Sequence, residues 1–185
     1  MLIVRPSKIG DIDAILRIKM DPKVACHQYP IDQTAYSEML RRVLGGDDKT
    51  GIVTTQFSTI DKDGESIGYV RHDHFEVDGA RMVSCAWNLT SSRWGQGIMR
   101  LSMTQLLNEW IMGTEVQHVF ADHFRSNERC KRLLDRLVFA SQEIPLLERL
   151  TTAYQQRSLQ WVVRRRLDAS IWKAVSSEQL QQVES

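Results

Sequence analysis

Two glycines flanking one glutamine, Gly95-Gln96-Gly97, form the stretch of this 185-residue chain best suited to chemistry. Ala80 to Leu89 before them reads as a strand. After them Met99, Met103, Leu106, Leu107, Trp110 and Ile111 recur at steps of three and four, the period of one buried helix face. Gly113 supplies a stop. Strand, glycine loop and helix in that order aim free backbone N–H groups and the positive end of a helix dipole at one point, and such a point binds phosphate. The loop is not a P-loop, because no Gly-Lys-Ser/Thr follows. It is not the dinucleotide fingerprint either, because Gly95-Gln96-Gly97-Ile98-Met99-Arg100 lacks a third glycine. A tight turn with no ligand uses the same residues.

Other reactive side chains lie nearby in sequence. Cys130 falls in the first turn of a short helix, where the dipole lowers a thiol's pKa, yet its spacing with Leu133, Leu134 and Leu137 also suits a small core residue. His72, His74 and Glu76 alternate onto one strand face; three in-line residues without a fourth ligand seldom hold one ion, so no metal is expected. Asp122 and His123 close another strand, either as a second base or simply as its end.

The elements that must position these residues follow in order. Leu2 to Arg5 is a strand. Asp11 caps a helix with Ile12, Ile15, Leu16 and Ile18 inward, and Asp32 caps a second through Met39, Leu40 and Val43 to Gly45-Gly46. Between them Asp21 to Ile31, with Pro22 and Pro30, is irregular. Thr50 to Ile60 and Ile67 to Val77 are strands joined by Asp63-Gly64, and Asp78-Gly79 is a two-residue hairpin turn into Ala80 to Leu89. Val116 to Phe124 is a strand and Asn127 to Leu137 a helix. Phe139 to Leu147 and Ser158 to Leu167 end the set as strands. The expected unit is a single domain over 1-175 with a polar, fraying tail over 176-185.

Composition narrows the function. Hydrophobic residues at 42% and charged residues at 25% describe an ordinary globular chain, and a net charge of +1 argues against binding nucleic-acid backbones. Arg164-Arg165-Arg166 reads as a solvated sheet edge. Three irregularly spaced cysteines suggest reduced thiols and a cytoplasmic setting. Met1 to Val4 is an apolar run too short for a signal peptide or membrane span.

Trp94-Gly95-Gln96-Gly97-Ile98-Met99 resembles the pyrophosphate loop of the GNAT superfamily of N-acetyltransferases, Gln/Arg-x-x-Gly-x-Gly/Ala, and is most similar to the branch acetylating ribosomal-protein N-termini and its uncharacterised relatives. Trp94 stands where Gln or Arg is frequent, and Met99 where Gly or Ala is usual. Downstream, Asn127-Glu128-Arg129-Cys130-Lys131-Arg132-Leu133-Leu134-Asp135-Arg136-Leu137-Val138-Phe139 is similar to the family's Asn-x-x-Ser-x-x-Leu-Leu-Glu-x-Leu-Gly-Phe, with Cys130 for Ser and Val138 for Gly. The resemblance implies an α+β fold of α/β/α layers, with about four helices around a mixed, mostly antiparallel sheet whose fourth and fifth strands splay apart.

What the resemblance implies for function is transfer of an acetyl group from acetyl-CoA to a primary amine by direct attack in a ternary complex. Pantetheine would pair with backbone near Asn88 and Leu89; Trp94, Gly95, Gln96, Gly97, Ile98 and Met99 would cradle the pyrophosphate. Asn127 would cap its helix and touch pantetheine, Arg132 would reach a CoA phosphate, and Cys130 would serve the departing sulfur. The glutamate frequent on the fourth strand aligns with Ser84. The hairpin register sets Asp73 opposite Ser84, so Asp73 offers a substitute carboxylate. The tyrosine acid of other branches falls at Leu134. The missing glutamate equally suits an inactive acyl-CoA-binding sensor. The acceptor, a protein N-terminus or a small molecule, is not specified; no membrane or nucleic-acid partner is expected, and a homodimer stays open.

Overall fold

The computed structural model describes residues 1–47, 53–143 and 162–183. Seven strands form one sheet in the order β1-β2-β3-β4-β5-β7-β6. They are β1 (Leu2–Pro6), β2 (Val53–Lys62), β3 (Glu65–Val77), β4 (Ala80–Leu89), β5 (His118–Phe124), β6 (Ala140–Gln142) and β7 (Val162–Asp168). Only β4 and β5 pair in parallel; the other pairs are antiparallel. Among the described residues six helices complete the fold: α1 (Ile12–Met20), α2 (Pro22–Ala25), α3 (Gln33–Leu44), α4 (Ile98–Asn108), α5 (Glu128–Arg136) and α6 (Ala169–Val183). Mixed α+β architecture is therefore as expected, with two helices beyond the four anticipated.

Alternation along the strands builds two cores. Val83, Cys85 and Leu89 of β4 join Val70, Met103, Leu107, Trp110, Leu134 and Trp172 in the larger cluster. Tyr69 and Phe57 turn the other way and meet Ile15, Ile18 and Leu40 of α1 and α3. The α4 run continues through a wide π turn over Glu109–Gly113, which keeps Trp110 and Ile111 buried. The left-handed residue beyond it is Glu115 (φ 58°), not Gly113, so the glycine ends the helical run without the stop conformation assigned to it.

The long β3–β4 hairpin holds its expected register: Asp78 and Gly79 both have positive φ, and Val77, Glu76 and Asp73 face Ala80, Arg81 and Ser84. Gly68 has a steric reason to lack a side chain, since a Cβ there would stand 2.9 Å from the Asn88 carbonyl oxygen across the hairpin.

Several local expectations are corrected. Asp11 sits at the start of α1 but its carboxylate makes no cap bond to that helix. It is buried and accepts two 2.8 Å bonds from the Arg5 guanidinium and one from the Lys8 N–H. Charge pairing outweighs capping there, and the Arg5 guanidinium holds the carboxyl below its ordinary range. Asp32, by contrast, caps α3 by accepting from the Ala35 N–H at 2.9 Å. The segment Asp21 to Ile31 contains the single-turn α2, with Asp21 accepting from the Lys23 N–H and Pro22 in the first turn.

The arginine run is not a sheet edge: β7 lies between β5 and β6. Arg165 is buried, paired with Asp135 and donating to the Phe139 carbonyl at 2.6 Å. From Ser176, read as a polar tail, α6 continues to Val183, and Trp172 ties it to α4 through an indole N–H bond of 2.8 Å to Asn108. Residues 50–52, 144–147 and 158–161 of the expected strands lie outside the described residues.

Candidate active site

The Gly95-Gln96-Gly97 loop has the geometry its glycines suggested. Gly95 (φ 78°) and Gly97 (φ 74°) are both left-handed, and a Cβ at either would meet nothing within 4 Å. Gly97 begins α4, whose first turn-closing bond runs from the Leu101 N–H to the Gly97 carbonyl. Among the described residues nothing accepts the backbone N–H groups of Gly95, Gln96, Gly97, Ile98, Met99 or Arg100. Ile98 and Met99 bury their side chains beneath, so the amides rest on a packed base. The Gln96 side chain folds back to donate to the Ser92 carbonyl at 3.3 Å.

The fourth and fifth strands part as the resemblance implied. Their pairing runs from Met82↔His118 to Cys85↔Ala121 and stops. The Thr90 N–H bonds the Ile67 carbonyl across to β3. By alternation Asn88 also faces β3, while Trp87 and Leu89 face the gap. The Leu89 carbonyl is already taken by the Trp94 indole N–H at 2.8 Å. Backbone free for an incoming strand-like ligand thus centres on Trp87 and on the Leu89 N–H. The Asn88 side chain, meanwhile, donates to the Tyr69 hydroxyl at 2.7 Å.

The gap opens into a cleft of about 970 Å³ that brings together Ser84, Asn88, Leu89, Trp94, Gly95, Gly97, Ile98, Met99, Asn127, Cys130 and Arg132. Asn127 caps α5, accepting from the Cys130 N–H at 3.1 Å. The Cys130 thiol contradicts the dipole argument: burial pushes its pKa up to about 12, outweighing the lowering by Arg165. It keeps its proton at neutral pH, which suits a donor and not a nucleophile.

Asp73 does not join the cleft. Its register opposite Ser84 is right, but the carboxylate accepts from Thr55 at 2.7 Å and pairs with Arg71 at 3.0 Å. Of the other strand-end candidates, Asp122 is held by Arg164 through two 3.0 Å bonds. His123 is buried and lines the cleft. Its Nδ1 meets the Phe124 carbonyl at 2.9 Å and must therefore carry the proton, leaving Nε2 as a buried acceptor with no partner among the described residues. Burial lowers the ring's pKa, so it is neutral at physiological pH.

His72 and His74 form a separate structural pair. Their rings share a 2.8 Å hydrogen bond, His72 meets the Ser58 hydroxyl at 3.1 Å, and both pack on Trp110.

Side chains from residues 21–31 and from α5 complete the walls. Arg129 lies over the Trp94 ring at 4.3 Å, and His27 approaches the same ring at 6.2 Å. Tyr29 packs edge-on against Phe124 at 5.0 Å. Arg93, Arg100, Arg129, Arg132 and Arg136 line the cleft, as do Lys19 and Arg71; Asp32 and Asp122 are the only cleft carboxylates among the described residues. Period-based reading assigns exposed arginines to solvent; of these only Arg132 was expected near a CoA phosphate, and that from the resemblance.

A strand-parting sheet with a bare-amide loop at a helix start defines an acyl-CoA-type transferase fold. The family model of the acetyltransferase (GNAT) domain matches residues 1–140, and the chain belongs to that family. Among solved structures it resembles the ribosomal-protein-S5-alanine acetyltransferase of Vibrio fischeri, at 14% identity, covering 92% of this chain and 94% of that one with a TM-score of 0.69. Mutant forms of the spermidine/spermine N-acetyltransferase of Vibrio cholerae match at 13% identity, 95% and 98% coverage and a TM-score of 0.69. A GNAT-family acetyltransferase of Bacillus anthracis matches at 10% identity, 91% and 95% coverage and a TM-score of 0.67. At these identities the likeness speaks for the fold. Comparison with curated proteins finds no match. Among the described residues no helix is long and apolar enough to cross a membrane.

Proposed function

We propose that the protein transfers an acetyl group from acetyl-CoA to a primary amine by direct attack in a ternary complex. The observation that carries this is the run of unengaged amides around two left-handed glycines at the start of α4. Diphosphate is the ligand such a run accepts, and Arg100, Arg129 and Arg132 add charge of the right sign. Pantetheine then extends along the gap as a substitute strand against Trp87 and Leu89. Asn127, at the head of α5, keeps its amide NH₂ for the same ligand.

The amine attacks the thioester carbonyl; the N–C bond forms, and the C–S bond breaks. The proton lost by the amine passes to solvent, with His123 Nε2 a cleft acceptor that has no partner among the described residues, and the departing thiolate takes a hydrogen bond from the Cys130 thiol. Ser84 contributes a hydroxyl to the wall in place of a carboxylate. The test is thiol release from acetyl-CoA across an amine panel, run beside calorimetry with CoA. Release with at least one amine is expected, and failure to bind CoA refutes the reading. One observation favours a binding-only sensor: both cleft carboxylates are already engaged. CoA binding without turnover on any amine would select that second reading.

A further inference from the structure

The cleft wall formed by α1 and β3 brings two like charges close enough to repel. Lys19 on α1 and Arg71 on β3 both line the cleft. Lys19 donates to the Gln28 side chain and lies over the Tyr36 ring at 5.3 Å; among the described residues no carboxylate pairs with it. Arg71 gives Nε and Nη2 to Asp73, leaving Nη1 with no acceptor among the described residues. Lys19, Arg71 and Asp73 together sum to +1, and the surplus is the Lys19 ammonium. Asp32 is committed to the Ala35 N–H, and Asp122 to Arg164.

We propose that Lys19 and Arg71 form a subsite for a carboxylate, so that the amine acetylated belongs to a molecule that also carries a carboxylate. This rests on the transferase reading above and names its acceptor class. Three observations converge on it. First, the surplus cation has donors unused by the protein, and a half-buried ammonium is stable only when they are filled. Second, burial and the Arg71 charge pull the Lys19 pKa down to about 8, which an incoming anion would reverse. Third, a polycation such as spermidine would meet these two cations, while the cleft carboxylates among the described residues, Asp32 and Asp122, are held by the Ala35 N–H and by Arg164. The Tyr69 hydroxyl accepts from the Asn88 amide at 2.7 Å and hydrogen-bonds Tyr36, the ring on which Lys19 rests.

The carboxylate has two possible sources, and matched acceptor pairs separate them. L-alanine against L-alaninamide reports an α-carboxylate. The C-terminally amidated peptides Ala-Asp-Glu-Phe and Ala-Asn-Gln-Phe report side-chain carboxylates, and spermidine serves as the cationic comparison. With CoA or acetyl-CoA bound, affinity by calorimetry and kcat/KM by thiol release should favour the acid member of one pair by about tenfold or more. Lys19→Met should bring that ratio toward one, as should Arg71→Met; Arg71→Lys should retain part of it.

At pH 8, acid binding should also take up about half a proton, read from calorimetry in buffers of different ionisation enthalpy, and Lys19→Met should abolish the uptake. An acid-to-amide ratio near one in both pairs, or a ratio unmoved by Lys19→Met in a folded variant, overturns the inference while leaving acetyl transfer standing. Preference for spermidine does the same. Loss of CoA binding by the wild-type protein overturns both.

Discussion

Replacing Gly97 with alanine separates the fold from the binding site. Gly97 has φ of 74°, and an added Cβ meets no atom within 4 Å, so the variant suffers no collision. What remains is the backbone cost of an L-residue in the left-handed region, about 1–2 kcal/mol. In a chain of this size about 1 kcal/mol moves Tm by about 2–4 °C, so Gly97→Ala should melt about 2–8 °C lower and stay folded. The methyl, however, projects into the open space at the head of α4, where the unengaged amides converge. Blocking one charge-assisted bond to a diphosphate costs about 1.5–3 kcal/mol, or about 10- to 100-fold in affinity. Acetyl-pantetheine lacks the diphosphate and reports on the gap alone. Thiol-release kcat/KM should therefore fall about 10- to 100-fold for acetyl-CoA and little for acetyl-pantetheine. An equal fall for both donors, or none for acetyl-CoA, would refute the assignment of these amides to a diphosphate.

Three further outcomes follow from the same structure. Burial, then the neighbouring His74, pushes His72 down to about 3, so between pH 6.5 and 3 the unfolded chain binds the proton that the folded chain refuses. Stability should fall with pH by about 1.4 kcal/mol per unit in that window, about 3 kcal/mol by pH 4.5, and urea unfolding should show a flatter slope in His72→Gln. Val138 follows α5 with φ of 56°, a left-handed β-branched residue, so Val138→Gly should relieve about 1–2 kcal/mol of strain. Its half-buried side chain gives back part of that, and the net expectation is a gain of about 0.5–1 kcal/mol by thermal unfolding. Cys130→Ala should lower kcat by about 10- to 100-fold with little change in KM for acetyl-CoA, whereas Cys130→Ser, which keeps a donor, should stay near wild type; equal kinetics for the two variants would remove the thiol from the proton path.

Local rules made much of the fold legible. The β3–β4 register followed from Asp78-Gly79 and the Glu76–Arg81 pair, both properties of adjacent residues. The loop conformation followed from Gly95 and Gly97 for the same reason. What stayed hidden depended on partners far along the chain. Arg165 looks solvated in a triplet of arginines until β7 is inserted beside β5 and Asp135 reaches it from α5. Asp11 looks like a helix cap until Arg5 and Thr59 surround it. Cys130 illustrates a contest of magnitudes: the dipole of a nine-residue helix is worth less than the burial of its thiol, and only packing reveals the burial. Asp73 was correctly paired and still unavailable, because register fixes a face but not which neighbour claims the carboxylate.

Trp94 stands where a Gln or Arg is frequent in the resembled loop, and its contacts give that choice a physical reason. Its indole N–H fastens the loop to the Leu89 carbonyl, the last residue of β4, while its ring receives Arg129 from α5 and His27 from the segment after α2. One side chain therefore ties the glycine loop to the end of the parted strand, to α5 and to the segment after α2. A glutamine has the donor but no face for Arg129; an arginine would repel it. With Trp94 spent on these contacts, diphosphate recognition on the proposed reading would be left to backbone amides, which any side chain at that position permits. The charge that a loop arginine would supply would then come from Arg129, held over the ring at 4.3 Å.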